Sequence, residues 1–93
     1  MYTTQKLNNH PYAQACIRHY DSGEIACISY ETAVIIIDSD GWLSCTGTYS
    51  ATTRKHIGYF LKELQLPLHY QTAKMLYKDN MKMNIYTGEV IPQ

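Results

Sequence analysis

Twice between Gln14 and Tyr49 a run of β-branched, aromatic and small apolar residues breaks at a short Asp/Ser/Gly cluster and then resumes. Residues 14–20 and 24–30 flank Asp21-Ser22-Gly23, and residues 33–38 and 42–49 flank Ser39-Asp40-Gly41. A short glycine-bearing connection between such runs is a hairpin signal. If Gly41 supplies the positive φ of a three-residue loop, Ile37 faces Leu43 and Ile35 faces Cys45, which gathers one apolar face. A two-residue Asp-Gly turn pairs Ile37 with Ser44 instead, so the longer loop is preferred. In the first hairpin a two-residue turn at Ser22-Gly23 pairs Ile17 with Ile28 and His19 with Ala26; the alternative register stays open. The unbroken run from Ala33 to Ile37 predicts a strand covered on both faces, hence central in its sheet.

Beyond this region the period changes. Ile57, Phe60, Leu61 and Leu64 stand at i, i+3, i+4 and i+7, an apolar helical stripe. Ser50, Thr52 and Thr53 offer capping hydroxyls ahead of it, and Pro67 stops it by Leu66. The main helix is expected over 53–65. Gly58 inside it costs about 1 kcal/mol relative to Ala, and is expected to mark close contact with the sheet. Residues 72–78 fit a short second helix capped by Thr72. Met81, Met83 and Ile85 alternate with polar neighbours as a fifth strand, closed by Thr87-Gly88, after which the last residues fray. The first dozen residues, with Pro11, read as an irregular arm or a short edge strand. The fold class expected is α+β: one domain over 1–93, with a twisted antiparallel sheet of four to five strands packed on one main helix.

Composition bounds the function. Hydrophobic residues at 45% against 17% charged describe a globular chain rather than a disordered one. Eight Lys plus Arg balance eight Asp plus Glu, which disfavours a wholesale nucleic-acid binder and an acidic DNA mimic alike. It leaves little charge to oppose self-association into a homodimer. Nine tyrosines accompany one Phe and one Trp. They suit either the edges of a small core or a contact surface. The amino-terminal residues lack the basic flank and apolar run of a signal peptide, and no run approaches the length needed to cross a membrane. Cys16, Cys27 and Cys45 are odd in number, lack CxxC spacing and sit inside predicted strands. They are expected as free thiols in a reducing, cytosolic compartment.

Chemistry-bearing patterns are sparse. His10, His19, His56 and His69 fall in four segments without ligand spacing, so neither a metal nor a cofactor is expected. No glycine-rich nucleophile turn, phosphate-cradling loop or paired carboxylates occur. Asp38-Ser39-Asp40-Gly41 opens like a calcium loop but lacks the closing Glu. No catalytic residue is assigned, and the chain is read as a non-enzyme. The outer face of the main helix is richer. With the apolar stripe inward, Lys55, Tyr59 and Lys62 lie together, and Arg54 and His56 flank the first turn. These five residues are the candidate partner-binding site, able to grip an acidic protein surface or phosphates; an ordinary solvated face is the plain alternative.

The segment Ser29-Tyr30-Glu31-Thr32-Ala33-Val34-Ile35-Ile36-Ile37-Asp38, followed by Tyr49-Ser50-Ala51-Thr52-Thr53-Arg54-Lys55-His56-Ile57, resembles a family of small domains encoded by phages and mobile elements of Gram-positive bacteria. Those domains share a SYxTxVAxID strand and a YSxTTSKHI helix start, and the likeness covers residues 24 to 64. Arg54 stands where the family has Ser, and Ile35-Ile36 where it often has Ala. The family has no assigned function, so the resemblance implies a setting, the cytoplasm of a bacterial host cell. In that setting a compact, cofactor-free, tyrosine-rich chain without catalytic residues is expected, by analogy, to be a phage accessory protein that binds and inhibits a bacterial defence protein or ribonucleoprotein, of the anti-CRISPR kind. It would act by covering a protein surface. A nucleic-acid-binding accessory using the same helix face is the alternative.

Overall fold

The computed structural model describes residues 1–47 and 50–93. In chain order these form β1 (Tyr2–Lys6), β2 (Ala15–Tyr20), β3 (Ile25–Ser29), β4 (Thr32–Ile37), β5 (Trp42–Cys45), α1 (Ala51–Glu63), α2 (Tyr70–Lys78), β6 (Met81–Asn84) and β7 (Val90–Pro92). All seven strands join one sheet, each antiparallel to its neighbours, in the order β1-β2-β3-β4-β5-β6-β7. The expected count of four to five strands is corrected to seven. The additions are the edge strands, where local patterning is weakest. β1 is polar along its length, and β7 has only three residues and contains Pro92.

β4 is the central strand, as the apolar run predicts, but it is not covered on both faces: the helices lie on one side of the sheet and Ile36 is half-buried. Its hairpin with β5 has the expected register, Ile37 opposite Leu43 and Ile35 opposite Cys45. Asp38 N–H donates to the Trp42 carbonyl, Gly41 N–H returns to Asp38, and Gly41 sits at φ 92°. A Cβ at Gly41 would lie 2.5 Å from the Tyr86 ring, so both conformation and space require glycine there. The β2–β3 hairpin uses the same loop, with Gly23 at φ 97° and Tyr20 N–H donating to the Glu24 carbonyl. Ile17 therefore pairs with Cys27, and His19 with Ile25. The two-residue turn at Ser22-Gly23 is thereby overturned, and Ile28 turns away from Ile17. Of the predicted strand 42–49 the described part ends at Cys45; Thr48 and Tyr49 lie outside the described residues.

Both helices pack on one face of the sheet, α1 against β2 and β3, α2 against β5 and β6. α1 begins two residues earlier than expected because Ser50 is its cap, its hydroxyl accepting from Thr53 N–H. Ile57, Phe60 and Leu61 are buried in one cluster with Ile17, Cys27, Ile35, Leu43 and Leu7. Each such large side chain contributes about 1.5–3 kcal/mol relative to exposure. α1 closes with Gln65 N–H donating to Lys62 and Leu66 N–H to Leu61, and Gln65 takes φ 56°. That is a Schellman motif with glutamine where glycine is favoured. α2 starts two residues before its expected position, because His69 Nδ1 caps it by accepting from Gln71 N–H at 3.2 Å. Gly58 marks no close approach: a Cβ there would meet nothing within 4 Å. Among the described residues, no helix is long and apolar enough to cross a membrane.

Candidate functional site

The start of α1 is organised by a polar cluster buried beneath it. Ser29 on β3 donates its hydroxyl to Thr53 Oγ1 at 3.2 Å and lies 2.8 Å from His56 Nδ1. The pattern that satisfies all three has His56 Nδ1–H donating to Ser29 and Ser29 donating to Thr53, leaving Nε2 with the lone pair. All three residues are buried, His56 to 3% exposure. Burial pushes the His56 pKa down, so the ring is neutral at pH 7. His56 therefore belongs to the inward stripe of α1, one turn before Phe60. The sequence reading placed it on the outer rim.

From His56 a row of rings runs outward. Tyr30 lies 5.3 Å from His56, and Tyr59 lies 6.3 Å from it. Tyr59 stacks on His10 at 3.5 Å with planes 11° apart. Tyr30 occupies the two-residue β3–β4 turn, where it and Glu31 adopt φ 52° and 81°. Non-glycine residues pay steric strain in that region, and such strain gathers at functional positions.

The segment between β1 and β2 is held against α1. Asn8 N–H donates to Glu63 Oε1 at 2.7 Å, Asn8 Nδ2 donates to Oε2 at 3.0 Å, and Leu7 is buried. The result is a cleft of about 400 Å³ between this segment and α1. Asn9, His10 and Tyr12 form one wall; Lys55, His56 and Tyr59 form the other. Tyr12 is 95% exposed.

Of the five predicted site residues, Lys55, His56 and Tyr59 share this cleft. Arg54 lines a different cleft, between α1 and α2, and exposed Lys62 lines neither. His10, Tyr12 and Tyr30 were absent from the predicted site. For the two tyrosines the only signal in the sequence is the excess of that residue, which does not say which rings converge, and for His10 there is none.

The other histidines and the thiols have local roles. His19 Nε2 donates to Gln5 Oε1 at 2.8 Å across the β1–β2 pair, and His69 caps α2. All three cysteines are free. Burial pushes the Cys27 pKa up to about 12 and raises that of Cys45, while Cys16 is half-buried. No group of three or more His, Cys, Asp or Glu able to hold a metal occurs among the described residues. On the sheet face without helices, Arg18 lies 4.5 Å over the Tyr2 ring and Lys82 lies 5.4 Å over Trp42. Hydrogen bonding to Tyr20 raises the Arg18 pKa further.

Charge is segregated although the total is zero. Arg54, Lys55, Lys62, Lys74 and Lys78 lie on the two helices, where Glu63 is the one acidic residue. Asp21, Glu24, Glu31, Asp38 and Asp40 sit at or beside the sheet turns.

These features define a small α+β domain, a sequential antiparallel sheet with a basic helical layer on one face. The chain belongs to DUF8033, a family of unknown function, which it matches over residues 1–82. The match ends inside β6, so β7 lies beyond it. No curated protein and no solved structure matches the chain.

Proposed function

We propose that the protein is a phage or mobile-element accessory that binds a bacterial defence complex, of the anti-CRISPR kind, and inhibits it by covering a protein surface without chemistry. The observation that carries this reading is the cleft between residues 9–13 and α1. It presents an exposed tyrosine, a stacked His10–Tyr59 pair and Lys55 side by side. Aromatic anchors beside a cation are what interface hot spots are made of, and the stacked His10–Tyr59 pair has little conformational entropy left to lose on binding. The likeness of residues 24–64 to phage-encoded domains supports the biological setting. A plasmid-interference assay in cells carrying an active CRISPR effector tests it. The wild type restores plasmid uptake, and Tyr59→Ala and the Lys55→Glu/Lys62→Glu pair lose that effect while remaining folded. Unchanged interference with the wild type across the defence systems tried refutes the function. Full inhibition by the variants refutes the surface.

The five cations of the helical layer favour a second reading, a nucleic-acid-binding accessory using the same layer. A mobility shift that weakens steeply with salt supports it, and a salt-insensitive shift or none removes it.

A further inference from the structure

β1 is an edge of the sheet, and its outer side has no neighbour among the described strands. Asp21 N–H donates to the Met1 carbonyl at 3.0 Å, which sets the phase of the β1–β2 ladder. Hydrogen-bonded pairs alternate in an antiparallel ladder. Thr3 and Gln5 therefore turn their backbone groups to β2, while Tyr2, Thr4 and Lys6 turn theirs to the open edge. Folds usually blunt such an edge with proline, a bulge, shortness or a row of charges. The opposite edge follows that rule, since β7 has three residues and contains Pro92. β1 has five residues in unbroken register, no proline, and Lys6 as its one charged side chain.

We propose that β1 pairs antiparallel with β1 of a second copy of this chain, about a two-fold axis through Thr4, joining the two sheets edge to edge. Tyr2 then faces Lys6 of the second copy, Thr4 faces its own counterpart, and all the outward backbone groups of both strands are paired. A two-fold at Thr3 or Gln5 leaves out Lys6 or Tyr2, and one at Lys6 sets like charges opposite, so the strand's own sequence selects Thr4. On the helix-free face, Lys6 of the second copy meets the half-exposed Tyr2 ring in a cation–π contact beside the one that Arg18 already makes. The axis is perpendicular to the sheet, so both helical layers stay on the same side. α1 packs on β2 and β3, which sets the two copies of it four strand spacings apart, about 19 Å, against a helix diameter of about 10–12 Å. Zero net charge leaves no long-range repulsion between copies. A five-residue pairing is smaller than a standard interface, so the dimer is weak and concentration-dependent. The β1 edge takes no part in the cleft between residues 9–13 and α1, so this dimer and the partner surface stand or fall separately.

Sedimentation equilibrium of the full chain tests the pairing, at concentrations from about 10 μM to about 1 mM as suits a small interface. The wild type passes from monomer to dimer with no larger species, and the Thr4 amide exchanges more slowly with solvent at the high end. Thr4→Pro removes an N–H that bonds to nothing inside the chain; it folds as the wild type does and stays monomeric. Tyr2→Lys sets lysine against Lys6 at both ends of the pairing and weakens the dimer about tenfold. Tyr2→Lys/Lys6→Glu restores it, a recovery that a merely damaged fold would not show. A wild type that remains monomeric at the highest concentration overturns the proposal. So does a Thr4→Pro dimer as strong as the wild type's, which would rest on another surface, or a charge pair that restores nothing.

Discussion

Replacing Gly58 by alanine should stabilise this protein, and the size of the gain follows from its surroundings. Gly58 lies in the interior of α1, where glycine costs about 0.5–1 kcal/mol relative to alanine through the backbone freedom it surrenders on folding. A Cβ at this position meets nothing within 4 Å, so neither a clash nor a new packing contact alters that figure. In a domain of this length 1 kcal/mol moves the melting temperature by about 4–8 °C. Gly58→Ala should therefore melt roughly 2–8 °C higher than wild type, with an unchanged urea m-value because the surface exposed on unfolding is the same. Calorimetry and urea titration followed by circular dichroism read both quantities. An unchanged or lowered melting temperature would refute the reasoning. So would a gain well above about 1 kcal/mol, which would require a contact that the open space around Gly58 does not contain.

Four further outcomes are expected. Gln65→Gly should stabilise the α1 terminus by about 0.5–1 kcal/mol, because left-handed backbone costs a non-glycine residue about 1–2 kcal/mol and glycine returns part of that as chain entropy. Asn80→Gly, at φ 56° beyond α2, should gain less because asparagine tolerates that region; equal gains in urea midpoints would contradict the assignment. The His56 pKa is lowered in the folded state, so the unfolded chain takes up the proton first: stability is full above the unfolded value of about 6.5 and falls as pH drops through it toward the folded value. His56→Gln should flatten that slope between pH 7.5 and 5.5, and a wild type that grows more stable on acidification relative to the variant would overturn the sign. A thiol reagent should label half-buried Cys16 under native conditions well before Cys27, whose pKa stands near 12; mass spectrometry showing Cys27 modified first would contradict its burial.

The sequence made some of this architecture legible and concealed the rest for identifiable reasons. The β4–β5 register was readable because one choice of loop puts Ile35, Ile37, Leu43 and Cys45 on the same side. The β2–β3 register was not, since Ile17 can face Ile28 or Cys27 and both are apolar; only the loop around Gly23 decides. β1 carries no apolar alternation and exists because β2 offers it an edge. α2 begins at an imidazole cap, outside the usual hydroxyl and carboxylamide signals. At the candidate site, Lys55 and Tyr59 were visible as a helix face. His56 reads as polar rim until Ser29, remote in sequence, supplies the partner that permits its burial. The stacking of His10 on Tyr59 likewise joins residues remote in sequence, as does the neighbouring tether from Asn8 to Glu63, and no local pattern announces either.

The strictly sequential strand order has a consequence for how the molecule assembles. From β1 to β5 each strand pairs with the one just before it, across eight residues between β1 and β2 and two to four at the later turns, so five strands can add one after another with little loop-closure entropy. The β5–β6 pairing is different, because both helices intervene and must dock before the chain can return to the sheet. Local pairings of low sequence separation form fast, and the single long closure is the step expected to set the rate. In a chevron experiment Ile57→Val, which trims the face of α1 that docks, should slow the folding arm. Ile91→Val, on the strand added last, should mainly hasten unfolding. Assembly then proceeds in the direction of synthesis, with the helical layer acting as the latch that admits the final two strands.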